Sequence, residues 1–464
     1  MLRLNDLRLS GGKVYLEGAG LVDADLLLRD GQIAGIISPG DSAEAQEALD
    51  VSGTWILPGA IDPHVHLGKD IRVPRDADDA ERETASAVAG GITSILIYLM
   101  SAASYHDEMD VADRAMASNS HANYGYHFVL GTNDHLDEMR EYIEKGVSSF
   151  KFFMNFRGDE GKYLGLPGND DSFLYRLLKS SAEQGAMVNP HPENIELVHM
   201  IRDSALPQSA EMNPLEAWNA ARPPFVEAEA AQRVAYLAKA TGASIYSVHT
   251  SSQEAVEALL RQRASYSNIF IETCTHYLTL DTSSPAGVYA KVNPPVRDSS
   301  DVESLWRAFE EGQLDCIGSD HNARHRSNKE KDIFSASAGF PGVGGVLLLP
   351  LAHGLKRGVP LDLIVDAVST RAAKLFGMYP QKGAIRVGAD ADLVIVDPNQ
   401  ATVITADSQH SAAEYTPWEG TELPLSVRHT IVGGKLAVRH GQLTEEMSGS
   451  FIHRSRSGAA ALKG

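Results

Sequence analysis

LPGAIDPHVHLG, residues 57–68, is an apolar run that ends in two histidines separated by a single valine. An apolar run of this length is consistent with a buried strand. Side chains two residues apart on a strand point to the same face, so the rings of His64 and His66 could both reach one metal ion. The pair alone is equally compatible with two polar histidines at the surface, and the rest of the chain has to decide between these interpretations.

Strand-like runs alternate with amphipathic helical stretches over the middle of the chain, from Leu57 to Gly388. Alternation of this kind predicts parallel strands joined by crossover helices. The length of the region and the count of about eight strand-like runs favour a (β/α)8 barrel, a TIM barrel of the α/β class, over an open sheet. The strand-like runs that follow the first are TSILIYLM, YGYHFVLG, SSFKFFM, AMVNPH, ASIYSVHT, NIFIETC and LDCIGSD.

Both ends of the chain carry a different pattern, in which short β-like runs are separated by Gly, Asp and Ser. Gly433-Gly434, between two such runs, predicts a tight hairpin turn. We expect the two ends to form one small β-sandwich domain. The predicted division is residues 1–56 and 389–447 for the two parts of the β-sandwich, 57–388 for the barrel, and 448–464 for a tail that is flexible or bound to a partner.

The composition argues against several classes of function. The 464-residue chain has a formal net charge of −20, whereas a nucleic-acid surface needs clustered Lys and Arg. No apolar run approaches the roughly 20 residues of a membrane span, and the N-terminus lacks the apolar region of a signal peptide. The two cysteines, Cys274 and Cys316, are too few for a disulfide framework. We therefore expect a cytoplasmic protein that binds neither nucleic acid nor membrane.

Three further candidate metal ligands each follow one of the predicted barrel strands. His191 follows AMVNP, His249 follows SIYSV, and Asp320 follows DCIGS. Active sites of this barrel are built at the carboxyl ends of its strands. Four histidines and an aspartate at those ends predict a metal centre, and imidazole together with carboxylate suits zinc or a related divalent ion.

Lys151 interrupts the apolar run SSFKFFM between Phe150 and Phe152, where a charged ammonium group is costly to bury. One explanation is that the ammonium group reaches solvent or pairs with a carboxylate. The other is that burial lowers the pKa of the lysine, so that its amine adds carbon dioxide and forms a carbamate whose two oxygens bridge two cations.

These residues resemble the cyclic amidohydrolases of the amidohydrolase superfamily, most closely the hydantoinase and dihydropyrimidinase group. The resemblance covers nearly the whole chain. Each motif is weak alone, and the specificity lies in their joint order and spacing. The motifs are HVH at 64–66, SFKFF around Lys151, HPEN at 191–194, RPPFVEAEA at 222–230, VHTSS at 248–252, THYLTLD at 275–281, NPPVR at 293–297 and GSDH at 318–321.

The resemblance implies a hydrolase that opens a cyclic amide ring with two divalent ions, for which zinc is the expected metal. In such a centre a bridging hydroxide attacks a ring carbonyl that the metal polarises. Asp320 would act as general base and pass the proton to the leaving nitrogen. A homotetramer or homodimer is the implied assembly. The implied ligands are His64 and His66 for one ion, His191 and His249 for the other, carboxylated Lys151 as the bridge, and Asp320 on the first ion.

One position departs from the pattern of the group. Hydantoinases have a tyrosine five residues after the bridging lysine, whereas this chain has Phe156, and a phenyl ring cannot donate a hydrogen bond to a developing oxyanion. Either the metal alone stabilises the oxyanion, or a neighbour such as Asn155 replaces the tyrosine, or Phe156 simply packs against a more apolar ring. The resemblance further places substrate-binding backbone at Asn293 and at Ala338, so Phe156, Asn293 and Ala338 are the candidate substrate-binding residues.

The alternatives concern the substrate and the presence of catalysis. A cyclic imide or an unusual lactam would suit the loss of the tyrosine. Dihydroorotase activity is less compatible, because Gly68 stands where that group has the arginine that binds the substrate carboxylate. A non-catalytic scaffold related to dihydropyrimidinase is disfavoured by the complete ligand set. Lys69, Arg72 and Arg75 either hold an anionic substituent of the substrate or, as the favoured interpretation, belong to a solvated loop.

Overall fold

In the computed structural model of the protein, the described residues are 4–68, 71–157, 161–162, 165–166, 168–205 and 211–463. The chain begins with short strands, and in the first of them buried and half-buried residues alternate, as expected for a strand with one face on a core. These strands are β1 (Asn5–Ser10), β2 (Lys13–Leu16), β3 (Gly20–Asp23), β4 (Asp25–Arg29), β5 (Gln32–Ile37), β6 (Ala45–Asp50) and β7 (Trp55–Pro58).

A parallel sheet of nine strand segments forms the centre of the protein. Its segments are β8 (Ala60–His66), β9 (Ile92–Leu99), β10 (Asn123–Val129), β11 (Ser149–Phe153), β12 (Met187–His191), β13 (Ser244–Ser247), β14 (Ile269–Cys274), β15 (Cys316–Gly318) and β16 (His321–Asn322). The sheet follows this order from β8 to β15, and β16 pairs with the free edge of β8. Only Ser319 and Asp320 separate β15 from β16, so these two segments form one interrupted strand. The sheet begins and ends at this strand, and it therefore closes as an eight-stranded barrel. The predicted barrel is confirmed.

Helices connect the barrel strands. The helix Asp171–Gln184 shows how the sequence sets its limits: Asp170 accepts hydrogen bonds from the first turn, and Gly185 ends the helix with a φ of 69°. Leu174 and Leu178 lie on its buried face. No helix in the described part of the chain is long and apolar enough to cross a membrane. The helices are α1 (Ala77–Ala89), α2 (Tyr105–Met116), α3 (Asn133–Asp137), α4 (Met139–Glu144), α5 (Asp171–Gln184), α6 (Ile195–Ala205), α7 (Pro214–Ala221), α8 (Pro224–Thr241), α9 (Gln253–Arg263), α10 (Thr275–Thr279), α11 (Ser299–Glu310), α12 (Leu348–Arg357), α13 (Leu361–Val365) and α14 (Arg371–Leu375).

The last part of the chain forms strands that pair with strands from the N-terminal part. Its elements are β17 (Leu393–Asp397), β18 (Thr402–Val403), β19 (Glu422–Leu423), β20 (Ser426–Val432), β21 (Lys435–Arg439), β22 (Gln442–Leu443) and α15 (Ala459–Leu462). One sheet has the order β5-β4-β1-β6, and a second, β22-β21-β20-β17-β7-β2-β3, contains strands from both ends. Leu9, Leu26, Ile395 and Ile431 share one fully buried core. The expected β-sandwich built from both chain ends is confirmed.

Gly433 and Gly434 form the turn between β20 and β21, in which Val432 pairs with Lys435. Their φ angles are 55° and 80°. A two-residue hairpin turn of this kind needs positive φ at both positions, which glycine adopts without a steric penalty. The predicted hairpin is therefore present, and its register follows from the two glycines.

The C-terminal segment differs from the expectation of a flexible or partner-bound tail. Residues 448–463 lie across the amino-terminal end of the barrel. The Tyr124 N–H donates to the Ser450 carbonyl at 3.0 Å, and the Ile452 N–H donates to the Tyr124 carbonyl at 2.7 Å. Arg454 is fully buried, with its guanidinium donating to a serine hydroxyl of β11. The tail is therefore part of the packed structure.

Gly449 provides a test of this packing, because a Cβ atom there would lie 2.1 Å from the Ala122 carbonyl oxygen and 2.8 Å from that of Ser120. We expect Gly449→Ala to displace the tail and to lower the free energy of unfolding by about 1–3 kcal/mol. Denaturant unfolding measures the change. The exposed Ser455 on the same segment gives the control, Ser455→Ala, and equal unfolding midpoints for the two variants would contradict the packed tail.

Candidate metal centre and active site

A cavity of about 390 Å³ lies at the carboxyl-terminal end of the barrel. All nine residues proposed from the sequence come together there: eight line the cavity, and His64 is fully buried beside them. A cleft of about 870 Å³ elsewhere is larger. In the described part of the chain, however, the one cluster of three candidate metal ligands is at the smaller cavity. The candidate site is therefore identified by its metal-binding side chains and not by its volume. The eight lining residues are His66, Lys151, Phe156, His191, His249, Asn293, Asp320 and Ala338.

His64, His66 and Asp320 form the first donor group. Asp320 Oδ1 lies 3.1 Å from His64 Nε2 and 3.4 Å from His66 Nε2. One ligand atom of each residue lies within 4.8 Å of those of the other two. Two imidazole nitrogens and a carboxylate oxygen at this spacing are a suitable donor set for zinc or a related divalent ion.

His191 and His249 form the second donor group, with His249 Nε2 2.8 Å from His191 Nδ1. The other nitrogen of His191, Nε2, lies 2.7 Å from Glu193 Oε2. Arg222 donates to both oxygens of Glu193, at 2.8 and 2.9 Å. This buried ion pair holds the His191 ring with Nδ1 toward His249. The sequence did not predict this role of Glu193, although Glu193 and Arg222 lie in the motifs HPEN and RPPFVEAEA.

Lys151 is fully buried in β11 and lines the same cavity. Its Nζ lies 4.6 Å from the centre of the Tyr98 ring and 5.0 Å from that of Phe153. It has no hydrogen-bond partner among the described residues. Burial lowers the pKa of Lys151 to about 8, although nearby carboxylates favour the charged form. The explanation in which the ammonium group reaches solvent is therefore wrong.

Two residues of the site have an unusual backbone conformation. His249 and Asp320 have φ angles of 41° and 50°, in the left-handed region that non-glycine residues rarely adopt. Such strain persists where surrounding contacts hold it, and it concentrates at functional sites. Near Asp320 the contact is Asp62, which accepts the backbone N–H groups of His64 and Ser319, each at 3.1 Å. Asp62, also missed from the sequence, thus joins β8 to the interruption between β15 and β16.

The electrostatics of the site favour an ionised Asp320 carboxylate and neutral imidazoles at His66 and His249. Burial disfavours the charged form of Asp320, but His64 and His66 outweigh it and hold the pKa of Asp320 well below its usual range. Burial lowers the pKa of His66 to about 4 and that of His249 well below its usual value. Neutral imidazole and ionised carboxylate are the forms that bind a divalent cation.

Glu272 on β14 is a further residue that the sequence argument missed. It is fully buried, and its Oε1 lies 2.7 Å from His64 Nδ1 and accepts the backbone N–H of His249 at 2.8 Å. It therefore turns the His64 ring so that Nε2 faces Asp320, and it supports the left-handed backbone of His249. Burial disfavours protonation of His64, but the Glu272 carboxylate raises its pKa. The available signal was an acidic residue inside the apolar run NIFIETC.

Phe156 belongs to an apolar side of the cavity. Its ring stacks on Phe153, with centres 4.3 Å apart and planes inclined by 18°. It packs in one cluster with Ile71 and Met100. Asn155 also lines the cavity, and its Oδ1 has no hydrogen-bond partner among the described residues. The contacts give Phe156 a packing role, and Asn155 lies near it on the wall of the cavity.

Asn293 and Ala338 line the cavity as expected. The Trp218 indole N–H donates to the Val292 carbonyl at 3.0 Å and to Asn293 Oδ1 at 3.2 Å. The Asn293 side chain is thus engaged by the protein itself. This agrees with a contact to substrate made by backbone at that position.

The basic residues after Gly68 contribute no described side chain to the cavity lining. Arg75 forms an exposed ion pair with Glu108 at 3.0 Å, which suits a solvated loop. Arg72 is not among the lining residues, and Lys69 lies outside the part of the chain that the structure describes. A different cation, Arg324, lines the cavity, and no sequence motif had pointed to it.

A closed parallel barrel with imidazole and carboxylate donors at its strand ends defines a metal-dependent hydrolase of the TIM-barrel type. The model of the amidohydrolase family matches residues 55–437. Similar relatives include a D-hydantoinase of Geobacillus stearothermophilus, 35% identical over 456 residues, which cover 95% of this chain and 94% of the relative. An L-hydantoinase of Paenarthrobacter aurescens is 30% identical over 451 residues, or 94% of this chain and 95% of the relative. The chain belongs to the amidohydrolase family.

Solved structures support the assignment of the chain to this family. The crystal structure of dihydropyrimidinase from Brevibacillus agri NCHU1002 matches with a TM-score of 0.87 at 30% identity, over 97% of this chain and 99% of that one. A D-hydantoinase crystal structure matches with a TM-score of 0.88 at 31% identity, over 98% and 99%. The resemblance inferred from the motifs is confirmed.

Glu272→Gln keeps the shape of the side chain but removes the charge behind His64. Loss of a carboxylate that orients a ligating histidine typically weakens metal binding about 10- to 100-fold, and we expect a loss in this range. Metal affinity from competition with a chelator, with the unfolding midpoint measured in parallel, checks the expectation. The exposed Glu254→Gln is the matched control. Equal metal affinity in both variants would show that Glu272 has no such effect.

Proposed function

We propose that the protein uses two divalent metal ions to hydrolyse a C–N bond and open a cyclic amide ring. The observation that carries the proposal is the convergence of four histidines, an aspartate and a buried lysine, from five strands of the barrel, on one cavity. Membership of the amidohydrolase family supports it. Relatives whose names are hydantoinase and dihydropyrimidinase point to a hydantoin or a dihydropyrimidine as the ring.

The proposed ligands follow the two donor groups. The buried Lys151 amine, with no hydrogen-bond partner among the described residues, supports a bridging group between them. Nitrogen and oxygen donors suit zinc, which is the proposed metal. His64, His66 and Asp320 would hold the first ion, His191 and His249 would hold the second, and a carbamate on Lys151 would serve both.

The proposed carbamate on Lys151 would form by addition of the lysine amine to carbon dioxide. The neutral amine attacks the carbon of carbon dioxide, a C–N bond forms, and one amine proton leaves to solvent or a base. A pKa of about 8 leaves an appreciable neutral fraction of the amine near neutral pH. The product replaces a buried positive charge with an anion of two oxygens, which suits a position between two cations.

Asp320 is the proposed general base. When bound, the metal ions supply a water of lowered pKa and polarise the ring carbonyl. Asp320 accepts the proton of the attacking water and delivers it to the ring nitrogen as the C–N bond breaks. The imidazoles of His64 and His66 keep the pKa of Asp320 low, so the carboxylate is in its ionised form. The apolar side around Phe156 keeps bulk water from the ring.

Phe156 favours a second candidate substrate, a cyclic imide. No hydroxyl is present at this position to stabilise the oxyanion, and an imide needs less stabilisation because its carbonyl carbon is more electrophilic and its nitrogen leaves more readily. Asn155, on the cavity wall beside Phe156, is the proposed replacement donor. The backbone at Asn293 and Ala338 is proposed to hold the ring.

We further propose a homotetramer or homodimer in the cytoplasm. The resemblance to hydantoinases supports the assembly, and two buried free cysteines suit a reducing compartment. The proposed domain division keeps residues 1–56 with 389–447, which share one core, apart from the barrel at 57–388 and the tail at 448–464.

Lys151→Ala tests the bridging role. We expect the variant to hold about one metal ion or fewer per chain in place of two, because a bridge that serves both ions is lost. Metal content by mass spectrometry, and activity with and without added propionate, measure the loss and its rescue. The exposed Lys179→Ala on α5 is the control. Metal content and activity like those of the control would refute the bridge.

A substrate panel tests the ring. We expect glutarimide to have a higher kcat/KM than hydantoin or dihydrouracil, and Phe156→Tyr to improve the last two by up to about 10²–10³ through a restored oxyanion donor. Phe225→Tyr, at an exposed position of α8, is the control. A hydantoin or dihydrouracil as by far the best substrate, with no gain in Phe156→Tyr, would contradict the imide assignment. No bound metal and no hydrolysis across the panel would favour a non-catalytic scaffold.

A further inference from the structure

Asn322 lines the cavity, and the proposed chemistry gives it no role. It belongs to β16, the last segment of the interrupted strand that closes the barrel. In the parallel pairing of β16 with β8, Asn322 stands opposite His66, and both residues line the cavity. Asn322 therefore occupies one of the carboxyl-terminal strand ends at which this barrel builds its active sites.

The carboxamide of Asn322 is buried with one of its atoms unpaired. The residue is 7% exposed, and its Oδ1 has no hydrogen-bond partner among the described residues. A buried acceptor without a donor is unfavourable, because the hydration that it gives up is not replaced. At the wall of a cavity, a bound ligand can supply the missing donor.

The position of the carboxamide is fixed by close packing. The Asn322 backbone N–H donates to the Phe340 carbonyl at 3.0 Å. The side chain lies against Gly339, where an added Cβ atom would be 2.7 Å from Asn322 Nδ2 and 2.8 Å from its Cγ. Gly339 has a φ of 98°, which favours glycine at this position. A polar side chain held in this way is suited to recognise one group of a ligand.

The loop behind the carboxamide is also fixed. Lys329 is fully buried, and its ammonium group donates to the carbonyls of Ser337 and Gly339, each at 2.9 Å. These two residues flank Ala338, whose backbone is proposed to hold the ring, and all three line the cavity. Asn322 therefore lies beside the backbone at which the ring is proposed to bind.

The rings proposed as substrates carry a donor of the required kind. Hydantoin and dihydrouracil have two ring N–H groups, one at the amide bond that is cleaved and one on the other side of the urea carbonyl. Asp320 is proposed to serve the nitrogen at the cleaved bond. The second N–H takes no part in that step, and a carboxamide oxygen is a suitable acceptor for it.

We propose that Asn322 Oδ1 accepts a hydrogen bond from the second ring N–H of the substrate, so that Asn322 selects cyclic ureides. This assignment rests on the proposed function, since it places a ring at the metal centre. It is compatible with hydrolysis of imides: the reactive imide carbonyl favours bond breaking, whereas Asn322 acts on the binding of the ring.

Two pairs of rings isolate this contact. Succinimide has the ring of hydantoin with a CH2 group in place of the second N–H, and glutarimide has the same relation to dihydrouracil. Steady-state kinetics with all four rings are measured for the metal-loaded wild type, Asn322→Leu and Asn322→Asp. Leucine has a similar shape without hydrogen-bonding groups, and aspartate keeps an acceptor. The exposed Asn328 on the following loop provides the matched control, Asn328→Leu.

We expect Asn322→Leu to lower kcat/KM for hydantoin and dihydrouracil about 10-fold, mainly through KM, because the contact forms before the ring opens. The values for succinimide and glutarimide should stay within about twofold of wild type, since these rings have no second N–H. Asn322→Asp should retain part of the difference, and Asn328→Leu should match wild type. An equal change for both members of each pair would overturn the proposal.

The unfolding midpoint distinguishes ligand binding from a structural role. Because Asn322 Oδ1 has no donor among the described residues, Asn322→Leu loses no hydrogen bond at this atom, and we expect a midpoint no lower than that of wild type. A clear fall in the midpoint, with an equal loss of activity for all four rings, would assign Asn322 to packing and contradict the proposal. Should Asn322→Leu fail to fold, Asn322→Ala takes its place with the same expected selectivity.

A binding measurement separates this inference from the proposed function. Should none of the four rings be hydrolysed, the proposed function fails for these rings. Calorimetric affinities of the intact rings for the metal-loaded wild type and Asn322→Leu then test Asn322 alone. A preference for the N–H member of each pair that is lost in the variant would support the contact, whereas no binding or equal affinities within each pair would overturn it.

Discussion

A lysine amine buried between aromatic rings is the constraint on which the rest of the active site depends. Lys151 Nζ lies within 5.0 Å of two ring centres and has no hydrogen-bond partner among the described residues. A permanent positive charge would be strongly unfavourable there. Conversion to the proposed carbamate removes that charge, and the resulting anion requires cations beside it. In the proposed centre the donor groups around His64 and His191 would hold those cations, which relates the buried amine to the residues around it.

Buried carboxylates outside the donor groups hold the donors in place. Glu272 fixes the ring of His64 and the backbone of His249, and Glu193 fixes the ring of His191. Both carboxylates are fully buried; Glu193 is paired with Arg222, and Glu272 Oε1 accepts the His249 N–H and lies 2.7 Å from His64 Nδ1. These contacts orient the donor atoms, and they balance the strain at the left-handed residues.

The two ends of the barrel have different roles, one structural and one functional. Residues 448–463 pack against the amino-terminal end, where their backbone bonds to the start of β10 and to the segments that precede β11 and β12. The carboxyl-terminal end carries the chemistry and a cavity whose apolar side, at Phe156, differs from its cationic side, at Arg324. Because these side chains come from segments outside the regular strands, the substrate preference can change while the donors and the barrel core stay the same.

The sequence, together with the family resemblance that its motifs carry, was enough to predict the barrel, the sandwich from both chain ends and nine residues at the cavity. These features depend on local patterns: strand periodicity, helix limits, and ligand types that follow each strand. Only the tertiary structure decided which distant groups meet. The contact between His64 and Glu272 joins residues 208 apart, and the packing of the tail and the approach of Arg324 to the cavity likewise carry no local signal. Such contacts arise from barrel closure and loop paths, which place residues together in space without leaving a periodic trace in the chain.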